Sequence, residues 1–138
     1  MSLVLDTSVA LSWQFEDEQT PATRAVLAQV TRTGAVVPSL WRLEVASALQ
    51  TAVRRKRLAQ AGRDAAVQDL AMLEIELDIE TDIHAWGATL ALADRFNLTP
   101  YDAAYLELAL RRGLPLATLD RALRQAAGAS GVALLGQD

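Results

Sequence analysis

Apolar positions along the chain fall into two alternating patterns. Five short runs, LVL at 3–5, AVVP at 35–38, IELDI at 75–79, LPLAT at 114–118 and GVALL at 131–135, have the length and composition of strands. Between them apolar residues recur at helical spacing over roughly 20–33, 39–57, 60–73, 83–96, 100–112 and 120–128, with Gly34, Gly62, Gly113 and Gly128 near the ends. Strands that alternate with helices, and that read as runs rather than as every second position, predict a parallel sheet covered on both faces. The expected fold class is therefore α/β, a three-layer α/β/α sandwich with a central, mostly parallel sheet of about five strands. No long Gly/Ser/Pro linker, repeat or low-complexity tract interrupts the sequence, so residues 1–138 are expected to form a single domain. A chain of that size buries roughly 70% of its unfolded surface, enough for one ordinary core.

In such a sheet the strand C-termini and the N-termini of the following helices gather along one edge, where ligands bind. Four acids fall in these places. Asp6 follows LVL directly, and Asp120 follows LPLAT after one leucine; each is either a helix N-cap or part of a site. Asp102 stands third in a Thr99-Pro100-Tyr101-Asp102 stretch that resembles a capping box, yet at about 100° per residue it shares a face with Tyr105, Leu106 and Ala109. Glu44 lies beside the apolar stripe of Trp41, Val45, Ala48, Leu49 and Ala52, with no basic residue on that stripe within a turn. An ionised carboxylate in half-apolar surroundings is costly unless a cation or strong hydrogen bonds compensate it. Four carboxylates converging on one edge would repel one another, and a divalent cation resolves the conflict. Hard oxygen ligands without thiol or imidazole suit Mg²⁺ or Mn²⁺, ions that assist phosphodiester hydrolysis.

Composition narrows the chemistry further. Cysteine is absent, which removes disulfides, thiolate zinc sites and cysteine nucleophiles, and the single His84 removes zincins and leaves no ordinary place for a hydrolase triad. His84 is expected near the start of the 83–96 helix in a structural role. The net charge of −4 argues against nonspecific adhesion to nucleic acid, but without Asp6, Glu44, Asp102 and Asp120 the 17 acids fall to 13, matching the 13 Lys and Arg. Basic residues cluster at Arg54, Arg55, Lys56 and Arg57, at Arg111 and Arg112, and at Arg121 and Arg124, either as solvated helix ends or as phosphate contacts. No apolar run is long enough for a spanning helix and the first residues lack a basic leader, so a cytoplasmic location without membrane association is expected.

Taken in order, LVLDTSVALSW, VPSLWRLEVASAL, LTPYDAAYLELALRRGLPLATLDRAL and the closing GVALL resemble the motifs of PIN-domain ribonucleases, in particular the VapC-like toxins of type II toxin–antitoxin systems. The likeness spans nearly the whole chain, with little signal from about 55 to 85. It implies Mg²⁺- or Mn²⁺-dependent endoribonuclease activity on an RNA substrate, inhibition by a cognate antitoxin protein, and a homodimer. Carried over position by position, Asp6, Glu44, Asp102 and Asp120 become the catalytic and metal-binding set, Asp6 and Asp102 most firmly. Ser8 and Thr118 fall at hydroxyl positions that either orient ligands or bond local backbone. Trp13, Trp41 and Trp86 are either core residues or the lining of a groove for a partner.

Other readings remain. A haloacid-dehalogenase-like phosphatase needs a second acid two residues after the first, where Ser8 stands, and the scattered glycines form no phosphate-cradling loop. A noncatalytic binding module, in which the four acids are caps, and a metal-dependent nuclease with another nucleic-acid substrate are the alternatives.

Overall fold

The computed structural model describes residues 2–137. Strands β1 (Val4–Leu5), β2 (Ala35–Val37), β3 (Ile75–Leu77), β4 (Leu116–Ala117) and β5 (Leu134–Leu135) form one sheet in the order β3-β2-β1-β4-β5. Every neighbouring pair is parallel. The helices are α1 (Thr7–Ser12), α2 (Pro21–Thr33), α3 (Trp41–Arg54), α4 (Gln60–Ala71), α5 (Thr81–His84), α6 (Ala88–Phe96), α7 (Pro100–Arg112) and α8 (Arg121–Ala129). From β1 the chain steps outward to β2 and β3, then returns across the sheet to β4 and continues to β5. Right-handed crossovers that step in opposite directions lie on opposite faces. One helical layer is thus built around α3, which packs on α1 and α4, and the other around α7, which packs on α6 and α8. The architecture is the α/β/α sandwich that the alternation of patterns predicts.

The central strands are buried on both faces. Val4, Leu5, Val36, Val37 and Leu116 lose nearly all contact with solvent, which is why these segments read as runs instead of alternations. The outer strands β3 and β5 are only half-covered. Helix α2 starts at a capping box in which Thr20 and Thr23 bond each other's backbone N–H, with Pro21 next in line. It ends at Gly34, whose φ of +75° and whose approach to the Glu74 carbonyl, 2.8 Å from where a Cβ would stand, admit no side chain.

Three details depart from the sequence pattern. Helix α1 is absent from the periodic segments because six residues are too short to display a period. The expected 83–96 helix is two helices, broken at Gly87, whose backbone (φ −110°, ψ −105°) leaves the helical region. His84 accordingly closes α5 rather than opening a helix, with Nε2 3.4 Å from Glu80 Oε1.

An ion network ties the β3 side of the sheet to α7. Arg111 on α7 reaches both oxygens of the buried Asp78 (3.1 and 2.6 Å) and both of the buried Glu107 (2.8 and 3.0 Å). Burial pushes Asp78 up, but the Arg111 and Thr81 hydrogen bonds outweigh it and hold the carboxyl below its ordinary value. A depressed carboxyl stabilises the fold above its unfolded pKa, and that contribution disappears as pH falls through the folded one. Arg111→Met is therefore expected to cost about 3 kcal/mol at neutral pH, because two buried carboxylates lose their cation. Urea unfolding across pH should show the deficit shrinking in acid; a deficit independent of pH would contradict this account.

Candidate active site

The sheet order places a switch point between β1 and β4: the connection from β1 leaves toward β2, and the one from β4 leaves toward β5. Connections that diverge in this way open a crevice at the strand C-termini. Asp6 follows β1 there and Thr118 follows β4, joined through the Asp6 N–H bond to the Ala117 carbonyl at 3.0 Å.

Asp6 is 6% exposed and stands at the N-cap position of α1, but its side chain makes no capping bond. Its Oδ2 instead accepts from Ser8 Oγ at 2.6 Å and from Thr118 Oγ1 at 2.7 Å. These hydroxyls are themselves fixed by backbone, since Leu119 N–H donates to Ser8 and Asp120 N–H to Thr118. Burial raises the Asp6 carboxyl above its usual range; the two hydroxyls and the Thr7 N–H oppose this, and the nearby charge of Asp120 adds to it.

Glu44, in the first turn of α3, is half-buried beside the buried stripe of Trp41, Val45, Leu49 and Ala52. Its Oε1 accepts a hydrogen bond from the hydroxyl of the fully buried Tyr105, and Thr7 Oγ1 stands 3.4 Å away. Burial pushes Glu44 upward, Tyr105 counters it, and the charges of Asp6 and Asp102 raise it further. Asp102, in the first turn of α7, is half-buried too; its N–H bonds the Thr99 hydroxyl, giving the cap that the sequence suggests. Its carboxyl is raised by burial and then by the charges of Asp6 and Asp120, against a Thr99 hydrogen bond. Asp120 is the one acid of the four whose side chain caps a helix: Oδ2 accepts from Leu123 N–H at 2.8 Å at the start of α8.

Asp6 and Asp102 lie within electrostatic reach of each other, Glu44 within reach of both, and Asp120 within reach of Asp6 and Asp102. A model of the PIN domain matches residues 3–129. The chain belongs to the PIN domain family. PIN domains are typically metal-dependent nucleases. Its fold is similar to solved structures of low identity. They include PAE2754 from Pyrobaculum aerophilum (21% identity, TM-score 0.70, 97% of this chain and 83% of that one). FitAcB from Neisseria gonorrhoeae is another (16%, TM-score 0.66, 97% and 96%). A third is VapBC2 from Rickettsia felis bound to a DNA fragment from their promoter (12%, TM-score 0.63, 97% of each chain). A search of the curated proteins finds no match.

The acids of this PIN domain are of the oxygen-donor type that hard divalent ions take. The site's oxygens are carboxylates and hydroxyls, three of its acids are held above their ordinary pKa by burial and mutual charge, and no cationic side chain pairs with them among the described residues. Among the described residues, no three or more acidic or histidine side chains stand close enough together to hold a metal ion. Mg²⁺ retains several waters and takes only one or two protein carboxylates, so it does not require three.

The basic clusters divide. Arg57 pairs with Asp17 and Glu18 and lies over the Phe15 ring, Arg112 pairs with Glu76, and Arg124 bonds the carbonyls of Thr118 and Leu135. Arg54, Arg55, Lys56 and Arg121 are exposed without an ion pair among the described residues. Trp41 is core, Trp13 is half-buried with its N–H on the Thr23 carbonyl, and Trp86 is 93% exposed. Sequence reasoning missed Tyr105 and Thr7 as neighbours of Glu44; the one available signal was the helical wheel that sets Tyr105 on the same inward face as Asp102.

The two aspartates at strand ends should respond oppositely when no metal is present. An acid with a raised folded pKa loses stability as pH rises through the carboxylate range. Asp6→Asn, which keeps an acceptor for Ser8 and Thr118 but no charge, should stabilise the metal-free protein at pH 7 on the order of 1 kcal/mol, with the gain vanishing in acid. Asp120→Ala should cost about 1 kcal/mol through the lost cap. Thermal unfolding of both variants in chelator reads the contrast, and a destabilised Asp6→Asn would refute it.

Proposed function

We propose that this PIN domain is a Mg²⁺- or Mn²⁺-dependent endoribonuclease and the toxin of a toxin–antitoxin pair. Residues 1–138 are read as one domain acting in the cytoplasm, and Asp6, Glu44, Asp102 and Asp120 as its catalytic and metal-binding residues. One observation carries the reading: the Asp6 carboxyl is buried with hydroxyl partners and no cationic side chain among the described residues, and Glu44 and Asp102 lie close enough for its charge to raise them. Bound there, the cation would supply charge neutralisation at the scissile phosphate and activation of the attacking water. The chain's part is orientation. Ser8 and Thr118 hold one oxygen of Asp6, Thr99 fixes the start of the helix that carries Asp102, and Asp120 sets the start of α8 beside them. Arg121, exposed next to Asp120, offers a contact to an RNA phosphate.

The partner half of the reading draws on the VapBC and FitAcB assemblies, which are toxin–antitoxin complexes. Trp86, Ile79, Ile83 and Leu110 are exposed apolar side chains that a cognate antitoxin or a second copy in a homodimer would cover. No helix among the described residues is long and apolar enough to cross a membrane.

Asp120's capping bond is what favours the noncatalytic module, and cleavage assays separate the two. With Mn²⁺ and mapping of new RNA 5′ ends, wild type should cut at specific sites, while Asp6→Asn and Asp102→Asn should lose at least a hundredfold in rate. Cleavage that survives both substitutions, or that ignores chelator, would sink the enzyme reading. Specific cuts in DNA but not RNA would transfer it to another nucleic acid.

A further inference from the structure

Tyr105 stands one turn beyond Asp102 on α7, fully buried, yet its hydroxyl is not spent on its own helix. It crosses to α3 and donates to Glu44 Oε1, while Thr7 Oγ1, from the first residue of α1, lies 3.1 Å from the phenol oxygen and 3.4 Å from the same carboxylate oxygen. Side chains from three helices, α1, α3 and α7, therefore meet at one oxygen. Oε2 of Glu44 takes no hydrogen bond from the described residues. A carboxylate's terminal torsion is soft, so an isolated Glu44 would sample many orientations; two hydroxyls on one oxygen select a narrow set and leave the other oxygen without a hydrogen bond among the described residues. A phenylalanine would fill the same space, and among the described residues the hydroxyl bonds only Glu44 and Thr7.

We infer that Tyr105 is a positioning residue, assisted by Thr7, which pins Oε1 of Glu44 so that Oε2 is aimed at a divalent cation in the strand-end crevice. The inference rests on the metal-site reading above and assigns to α7 a second task beyond carrying Asp102. Tyr105 does not touch the ion; it acts through Glu44, as hydrogen-bond partners behind metal ligands commonly do.

Calorimetric Mn²⁺ titration of the full chain tests it, using wild type, Asp6→Asn, Glu44→Gln, Tyr105→Phe, the Glu44→Gln/Tyr105→Phe double variant and Thr7→Val. Tyr105→Phe should weaken Mn²⁺ binding by about tenfold or more, Thr7→Val by a smaller factor in the same direction. Because the phenol acts through Glu44, adding Tyr105→Phe to Glu44→Gln should weaken binding no further. A merely structural tyrosine gives a different result: Tyr105→Phe lowers thermal stability while Mn²⁺ affinity stays at the wild-type value, or it weakens the Glu44→Gln protein by the same factor as wild type. Either outcome overturns the inference. If Tyr105→Phe does not fold, Thr7→Val decides, and wild-type affinity there overturns it as well. Wild type that fails to bind Mn²⁺, or Asp6→Asn that binds like wild type, overturns the metal-site reading and this inference together. Binding lost in Asp6→Asn but intact in Tyr105→Phe removes the inference alone.

Discussion

Burying Asp6 at the junction of β1 and β4 is the constraint around which the strand-end edge is arranged. A carboxylate at that depth needs compensation, and Ser8 and Thr118 provide the first of it from opposite sides of the switch point. Those hydroxyls can do so because backbone amides of Leu119 and Asp120 hold them in turn. The turn after β4 is thereby fixed to the turn after β1. Even so, hydroxyls leave the carboxyl raised, with Glu44 and Asp102 raised beside it. The edge is strained electrostatically while the core beneath it is not, the pattern expected where local stability yields to function.

Helix α7 joins this edge to the rest of the molecule. Its first turn carries Asp102, its second the phenol that reaches Glu44, and its last the Arg111 that satisfies Asp78 and Glu107. Charge is thus treated in two ways along one helix. At the C-terminal end, buried carboxylates receive an arginine fork and need nothing more. Toward the N-terminus, carboxylates receive hydroxyls, which orient an anion without neutralising it.

The acids also divide by local role. Asp120 and Asp6 both follow a strand and precede a helix, so the sequence offers each the same two fates. Asp120 takes the cap, accepting from Leu123 N–H, while Asp6 turns its oxygen to hydroxyls instead. The difference lies in Ser8, two residues on, which donates to Asp6 at 2.6 Å, and in Thr118 across the sheet.

The sequence by itself determined the layers and the edge. Continuous apolar runs alternating with helical periods require a parallel sheet covered twice, and acids directly after LVL and LPLAT must emerge at strand C-termini because those strands are too short to place them elsewhere. It also determined that any metal chemistry would rest on oxygen ligands, having no cysteine and one histidine. Helix α1 and the break at Gly87 were not legible, since six residues show no period and a glycine in a helical pattern is only sometimes a stop. Only the tertiary structure decided which acid caps and which is held by hydroxyls, that Arg57, Arg111 and Arg112 are committed to ion pairs while their neighbours in the basic clusters are not, among the described residues, and that Tyr105 and Thr7 converge on Glu44. The Thr118–Asp6, Tyr105–Glu44 and Thr7 contacts join residues 37 to 112 positions apart. Periodicity describes which way a side chain faces on its own element, whereas its partner depends on how separate elements cross.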